Sequence, residues 1–63
     1  MSEYTGTAYK ALRESAGLSQ SEAAELLQVH PMLISKRERK GKERVRPEVF
    51  MALKYAIQKR DAG

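Results

Sequence analysis

Seven basic residues fall within eleven positions of this 63-residue chain: Lys36, Arg37, Arg39, Lys40, Lys42, Arg44 and Arg46. Only Glu38 and Glu43 interrupt them, so the stretch carries a net charge of +5 while the whole chain carries +4. A local cationic excess of this kind is the footprint of a surface that holds phosphates. Taken alone, a basic run is equally a solvated loop, and its neighbours decide between the two. Other chemistry has little material. There is no cysteine, which excludes a disulfide framework and a cysteine-based zinc site. His30 is the only histidine and reads as a helix cap, a phosphate contact or an exposed side chain, not as a metal ligand or base. Glu22 and Glu25, three positions apart on an amphipathic stretch, read as solvated surface, with Glu22 also serving as a cap. With no nucleophile–base pair and no phosphate-cradling glycine loop, no enzyme, cofactor, metal or small-molecule substrate is expected.

The elements that must position the basic run are helical. Residues 7–16 place Ala8, Leu12 and Ser15 or Ala16 at helical spacing, and Gly17 supplies a left-handed stop. Ser19-Gln20-Ser21-Glu22 is a capping box for a second helix that ends near Leu27 and buries Ala23, Leu26 and Leu27. Residues 28–30 leave space only for a tight turn. Pro31 then opens a third helix, running to about Arg39, at the position where proline is best tolerated. Ile34 is its inward residue. After a basic loop over residues 40–46, Pro47 opens the last helix, with Val49, Phe50, Leu53, Ala56 and Ile57 on one apolar face. Met51 and Tyr55 form a second stripe, suited to the core or to an interface with another copy. Residues 1–6 are expected to be loose, although Tyr4 is able to pack back, and residues 61–63 to fray. The fold class is therefore all-α, a small bundle of four helices with room for a fifth.

Helix, three-residue turn and helix, with small Ala24 in the first of the two, is the geometry of a DNA-reading helix-turn-helix. Residues 20–38 resemble the Xre/Cro family of phage repressors and related regulators, and the resemblance extends over residues 9–57. Gln20 opens the second helix as the family's glutamine does. Ala24 is the small contact residue, and Leu27, Val29 and Ile34 take the three apolar positions that lock the corner. Arg13 and Glu38 lie where family members pair an arginine with a glutamate. The order Ala-Gly-Leu-Ser-Gln, then Ala-Ala-Glu-Leu-Leu, then Arg-Pro before an apolar helix is also similar to the anti-CRISPR-associated repressors of phages and mobile elements. The chain departs from the pattern at Gln28, where glycine is usual, at His30, where serine or threonine is usual, and at Arg37, where an apolar residue is usual. Leu33 is apolar where a polar residue is expected.

The resemblance implies a lambda-repressor-like bundle and a set of roles. His30, Pro31, Met32, Ser35, Lys36 and Arg39 would face base edges in the major groove, the cations toward guanine and Met32 or Pro31 toward thymine methyls. Gln20, Arg37, Lys40, Lys42, Arg44 and Arg46 would hold phosphates, which fix register without reading sequence. Arg13 and Glu38 would form a structural ion pair, and Met51 and Tyr55 a dimer interface. The expected partner is double-stranded operator DNA bound by a homodimer, because one helix reads only a few base pairs. The alternative is a protein-interaction module, antitoxin-like or directed at a host factor, whose basic loop meets an acidic partner.

Residues 1–63 are expected to form one helix-turn-helix domain. A chain this short buries only roughly 60% of its unfolded surface, so its stability rests on tight helix packing or on a second subunit. No apolar run approaches the roughly 20 residues of a membrane span, and no signal-peptide pattern opens the chain. The expected setting is the cytoplasm of a bacterial or phage-infected cell.

Overall fold

A computed structural model describes residues 4–63; the looseness expected of residues 1–3 lies outside the described residues. Four helices follow one another: α1 (Gly6–Ser15), α2 (Gln20–Leu27), α3 (Pro31–Glu38) and α4 (Pro47–Ala62). The only strand-like pairing among the described residues is an isolated antiparallel bridge between Thr5 and Arg44.

Local chemistry sets most of the boundaries. The Thr5 hydroxyl accepts from the Ala8 amide at 3.1 Å. In the capping box, the Glu22 amide donates to Ser19 Oγ at 3.0 Å, and the Ser19 amide donates to Glu22 Oε1 at 2.8 Å. His30 Nδ1 accepts from the Met32 amide at 3.1 Å, just ahead of Pro31. These caps satisfy amide groups that have no partner inside a first helical turn. Two helices end alike. After α1, left-handed Gly17 (φ 73°) donates to Glu14 and Leu18 donates to Arg13. After α2, Gln28 (φ 58°) donates to Glu25 and Val29 donates to Ala24. This pair of bonds is the left-handed helix stop usually made with glycine. At Gln28 a side chain is carried through it, at a cost of about 1 kcal/mol.

The core comprises Tyr9, Leu18, Ala23, Ala24, Ile34, Leu53 and Ile57, with Leu12, Leu26, Leu27, Val29, Val49 and Phe50 packed around it. Every helix contributes, so α3 is held by α1 and α2 while α4 closes the bundle from the other side. Leu26 and Leu27, expected to be buried, are only half-buried. The chain ends are more ordered than the expected looseness and fraying. Tyr4 packs back as the sequence allowed, edge-on against Phe50 with ring centroids 5.1 Å apart, while Thr5 caps α1 and Gly6 begins it. At the other end α4 runs on to Ala62, where fraying was expected. Arg60, two residues earlier, ties that end down by donating to the Ala16 carbonyl at 3.0 Å.

Candidate nucleic-acid interface

The corner between α2 and α3 works because its inner residues leave no gap. Ala24 and Ile34 are almost fully buried, and a methyl at position 24 lets the helix backbones approach closely. With Ile34 inward, the opposite side of α3 faces solvent. Met32, Lys36 and Arg39 are exposed there, Ser35 is half-buried beside them, and His30 and Pro31 are exposed at the helix start. Because His30 Nδ1 accepts the Met32 amide proton, the neutral imidazole carries its own proton on Nε2. Met32 and Leu33 are the apolar members of this surface, 70% and 37% exposed.

The C-terminal end of α3 is fixed by a charged network. Arg13 Nε donates to Glu38 Oε2 at 2.6 Å and Nη2 to Oε1 at 3.2 Å, a two-pronged pair between α1 and α3. Arg13 Nη1 also donates to the Leu18 carbonyl at 2.7 Å, and Gln20 Nε2 donates to Glu38 Oε1 at 3.0 Å. Both charged side chains are more than nine-tenths buried. Burial pushes the Glu38 carboxyl up, but the hydrogen bonds from Arg13 and Gln20 and the charge of Arg13 outweigh it, so its pKa lies below the ordinary value. The same hydrogen bond raises that of Arg13. Charge here holds three elements together.

The basic loop after α3 is anchored by the start of the chain. The Gly6 amide donates to Glu43, the Thr7 amide to Gly41 and the Val45 amide to Tyr4, with distances from 2.6 to 3.2 Å. Val45 is buried, whereas Lys40, Lys42, Arg44 and Arg46 on either side of it are exposed. The loop is thus a pinned strip of cations continuing from the end of α3. Gly6 makes this possible. A Cβ there would lie 2.7 Å from the Arg37 carbonyl oxygen and 2.7 Å from the Gly41 amide nitrogen, too close for either backbone group to stay in place. The clamp was not foreseen from the sequence. Thr5, a capping residue type three positions before Ala8, is the one local signal that pointed to it.

Two residues assigned to phosphates sit differently. Arg37 is half-buried, with its Nη1 donating to the Tyr9 hydroxyl at 3.0 Å and its guanidinium 5.7 Å from the center of the Tyr9 ring. Tyr9 is fully buried, so the phenol draws the arginine head toward the core and away from the row formed by Lys36 and Arg39. Gln20 is half-buried too, and one of its two N–H donors is committed to Glu38. The core alternative for Met51 and Tyr55 is removed, since they are 46% and 65% exposed on the outside of α4.

Two short helices across a tight corner, the second turned outward among cations, define a helix-turn-helix domain. Residues 10–56 match the helix-turn-helix family, three-quarters of the chain, and the chain belongs to that family. The matching family is of the Xre and lambda-Cro kind, one of DNA-binding regulatory domains. No curated protein and no solved structure matches the chain significantly. Among the described residues no group of metal-ligating side chains comes together, and no helix is long and apolar enough to cross a membrane.

Proposed function

We propose that this protein is a sequence-specific repressor that binds a pseudo-palindromic operator as a homodimer through α3. The observation that carries this reading is the division of α3 into a buried side centered on Ile34 and an open side bearing Met32, Lys36 and Arg39, continued by the pinned cations of residues 40–46. In the major groove, Lys36 and Arg39 donate to guanine O6 and N7. Lys40, Lys42, Arg44 and Arg46 neutralise phosphates and set the register. Arg37 stays with Tyr9, and Gln20 serves first as a strut for Glu38.

A few base pairs per helix, at about 1–3 kcal/mol each, discriminate poorly against a genome. A second copy doubles the number read. The exposed Met51 and Tyr55 supply apolar area on α4 for that contact, and the two recognition helices then meet half-sites about 34–36 Å apart. Repression is steric, through occupancy of a promoter. The residue order over the motif favours an autorepressor of the anti-CRISPR-associated kind, carried by a phage or mobile element and acting in the bacterial cytoplasm.

Footprinting on the region upstream of the protein's own operon tests this. The expected result is a protected pseudo-palindrome, with affinity falling steeply between about 50 and 200 mM salt as counterions are released. Equal binding to random DNA, or affinity indifferent to salt, counts against it.

A further inference from the structure

Residues 4–7 carry no charge, yet they hold the loop that carries Lys42 and Arg44. The Gly6 amide donates to the Glu43 carbonyl at 3.2 Å, the Thr7 amide to the Gly41 carbonyl at 2.9 Å and the Val45 amide to the Tyr4 carbonyl at 2.6 Å. Thr5 pairs with Arg44 in the antiparallel bridge. This strap is itself fastened at two places, to α4 by the Tyr4 ring against Phe50 and to α1 by the Thr5 cap. The backbone next to it is extended, with Val45 buried and Arg44 and Arg46 exposed on either side. Those two cations therefore share the outward face, about 6.5 Å apart along the chain.

Four exposed cations within seven residues repel one another, because neighbours lie inside the roughly 8 Å over which salt screens charge. A free loop would spread them, and they would have to be gathered at each encounter with an anion. The strap gathers them during folding instead. Resting on the DNA-reading function proposed above, we infer that residues 4–7 are positioning residues for DNA, which preset Lys40, Lys42, Arg44 and Arg46 against a row of backbone phosphates. Such preorganisation raises affinity by removing an ordering cost from the binding step. Phosphates carry no sequence information, so the strap strengthens binding to every duplex alike, and preference is left to α3.

The test is a double-mutant cycle on the full chain. Gly6→Ala crowds the strap and Tyr4→Ala unfastens it without added bulk. In both, circular dichroism verifies folding, and faster hydrogen exchange at the Val45 amide verifies release. Fluorescence anisotropy at low salt then compares a selected duplex with a random one. Each variant is expected to bind both duplexes more weakly by the same factor, roughly tenfold, the effect of re-fixing about one backbone residue at each binding event. In K40A/K42A/R44A/R46A, where the cations to be positioned are gone, adding either substitution should change affinity by less than about twofold. A larger loss in that background, a loss confined to the selected duplex, or wild-type affinity with the strap released overturns the positioning role and leaves DNA recognition standing. Exchange at Val45 that is unchanged in both variants overturns it as well, since Gly6 and Tyr4 would then not hold the strap. A wild-type chain that binds no duplex overturns both readings.

Discussion

At its C-terminal end α3 is tied to the body of the protein through Glu38, which Arg13 and Gln20 grip from two other elements, and through the loop that Gly6 admits against the Arg37 carbonyl. At its N-terminal end the same helix presents His30, Pro31, Met32 and Leu33 to solvent, with the His30 cap as its side-chain support. One end is over-determined and the other is open. If α3 reads bases as proposed, placement and reading are separated within eight residues. Changes at the open end should retarget the protein without unfolding it, and changes at the tied end should lower stability whatever sequence is being read.

The largest effect expected is for Glu38→Ala. It leaves the buried Arg13 guanidinium facing a void, with the Leu18 carbonyl as its remaining strong acceptor, and should cost about 3 kcal/mol, the lower end of the range for breaking a buried pair. Denaturant unfolding measures it, and a loss below about 1 kcal/mol would show that the tied end is not tied by charge. The pair also carries a pH signature. A carboxyl whose pKa is lower in the folded state binds protons more tightly in the unfolded chain. Its stabilisation is complete above about pH 4.5 and is lost as pH falls through the lower folded value. Glu22, held below its ordinary value by the Ser19 amide, adds in the same direction. In Glu38→Gln the decline of stability on the acid side should be shallower than in the wild type.

Gly6→Ala comes next. The added methyl must push back the Arg37 carbonyl or the Gly41 amide, at about 1–3 kcal/mol for overpacking. Faster hydrogen exchange at the Thr7 amide, which bonds Gly41, would locate the damage in the clamp. On the open side, Lys36→Ala should leave the unfolding midpoint in place and relax base preference at one position by about 1–3 kcal/mol, read by competition between duplexes. The smallest effect belongs to Lys42→Ala, a uniform weakening on all sequences with the salt slope reduced by about one unit. If Lys36 and Lys42 variants behave alike, the division between reading and holding is wrong.

What was legible in the sequence follows the range of the interactions. The capping box at Ser19 and Glu22, the prolines that open α3 and α4, and the left-handed stop at Gly17 all act within one helical turn, and the helices begin and end close to where those residues place them. The pairing of Arg13 with Glu38 was accessible only through resemblance, since nothing in the spacing of 25 residues dictates it. Of the clamp between residues 4–7 and residues 41–45, only the capping residue type of Thr5 was legible. The clamp itself consists of backbone hydrogen bonds across some 35 positions, and backbone groups leave no mark on side-chain pattern. Arg37 was legible only in part for a related reason. Its charge is visible in the sequence, but the buried phenol of Tyr9 to which it donates comes from another helix.

The pinned chain start has a practical corollary for anyone who handles this protein. Tyr4 and Thr5 lie against Val45 and Arg44, so a polyhistidine handle or fusion partner joined at that end is tethered close to the cationic strip proposed to hold phosphates. Joined after Gly63, it departs from the far end of α4, a helix of 16 residues and therefore about 24 Å long, well away from that strip.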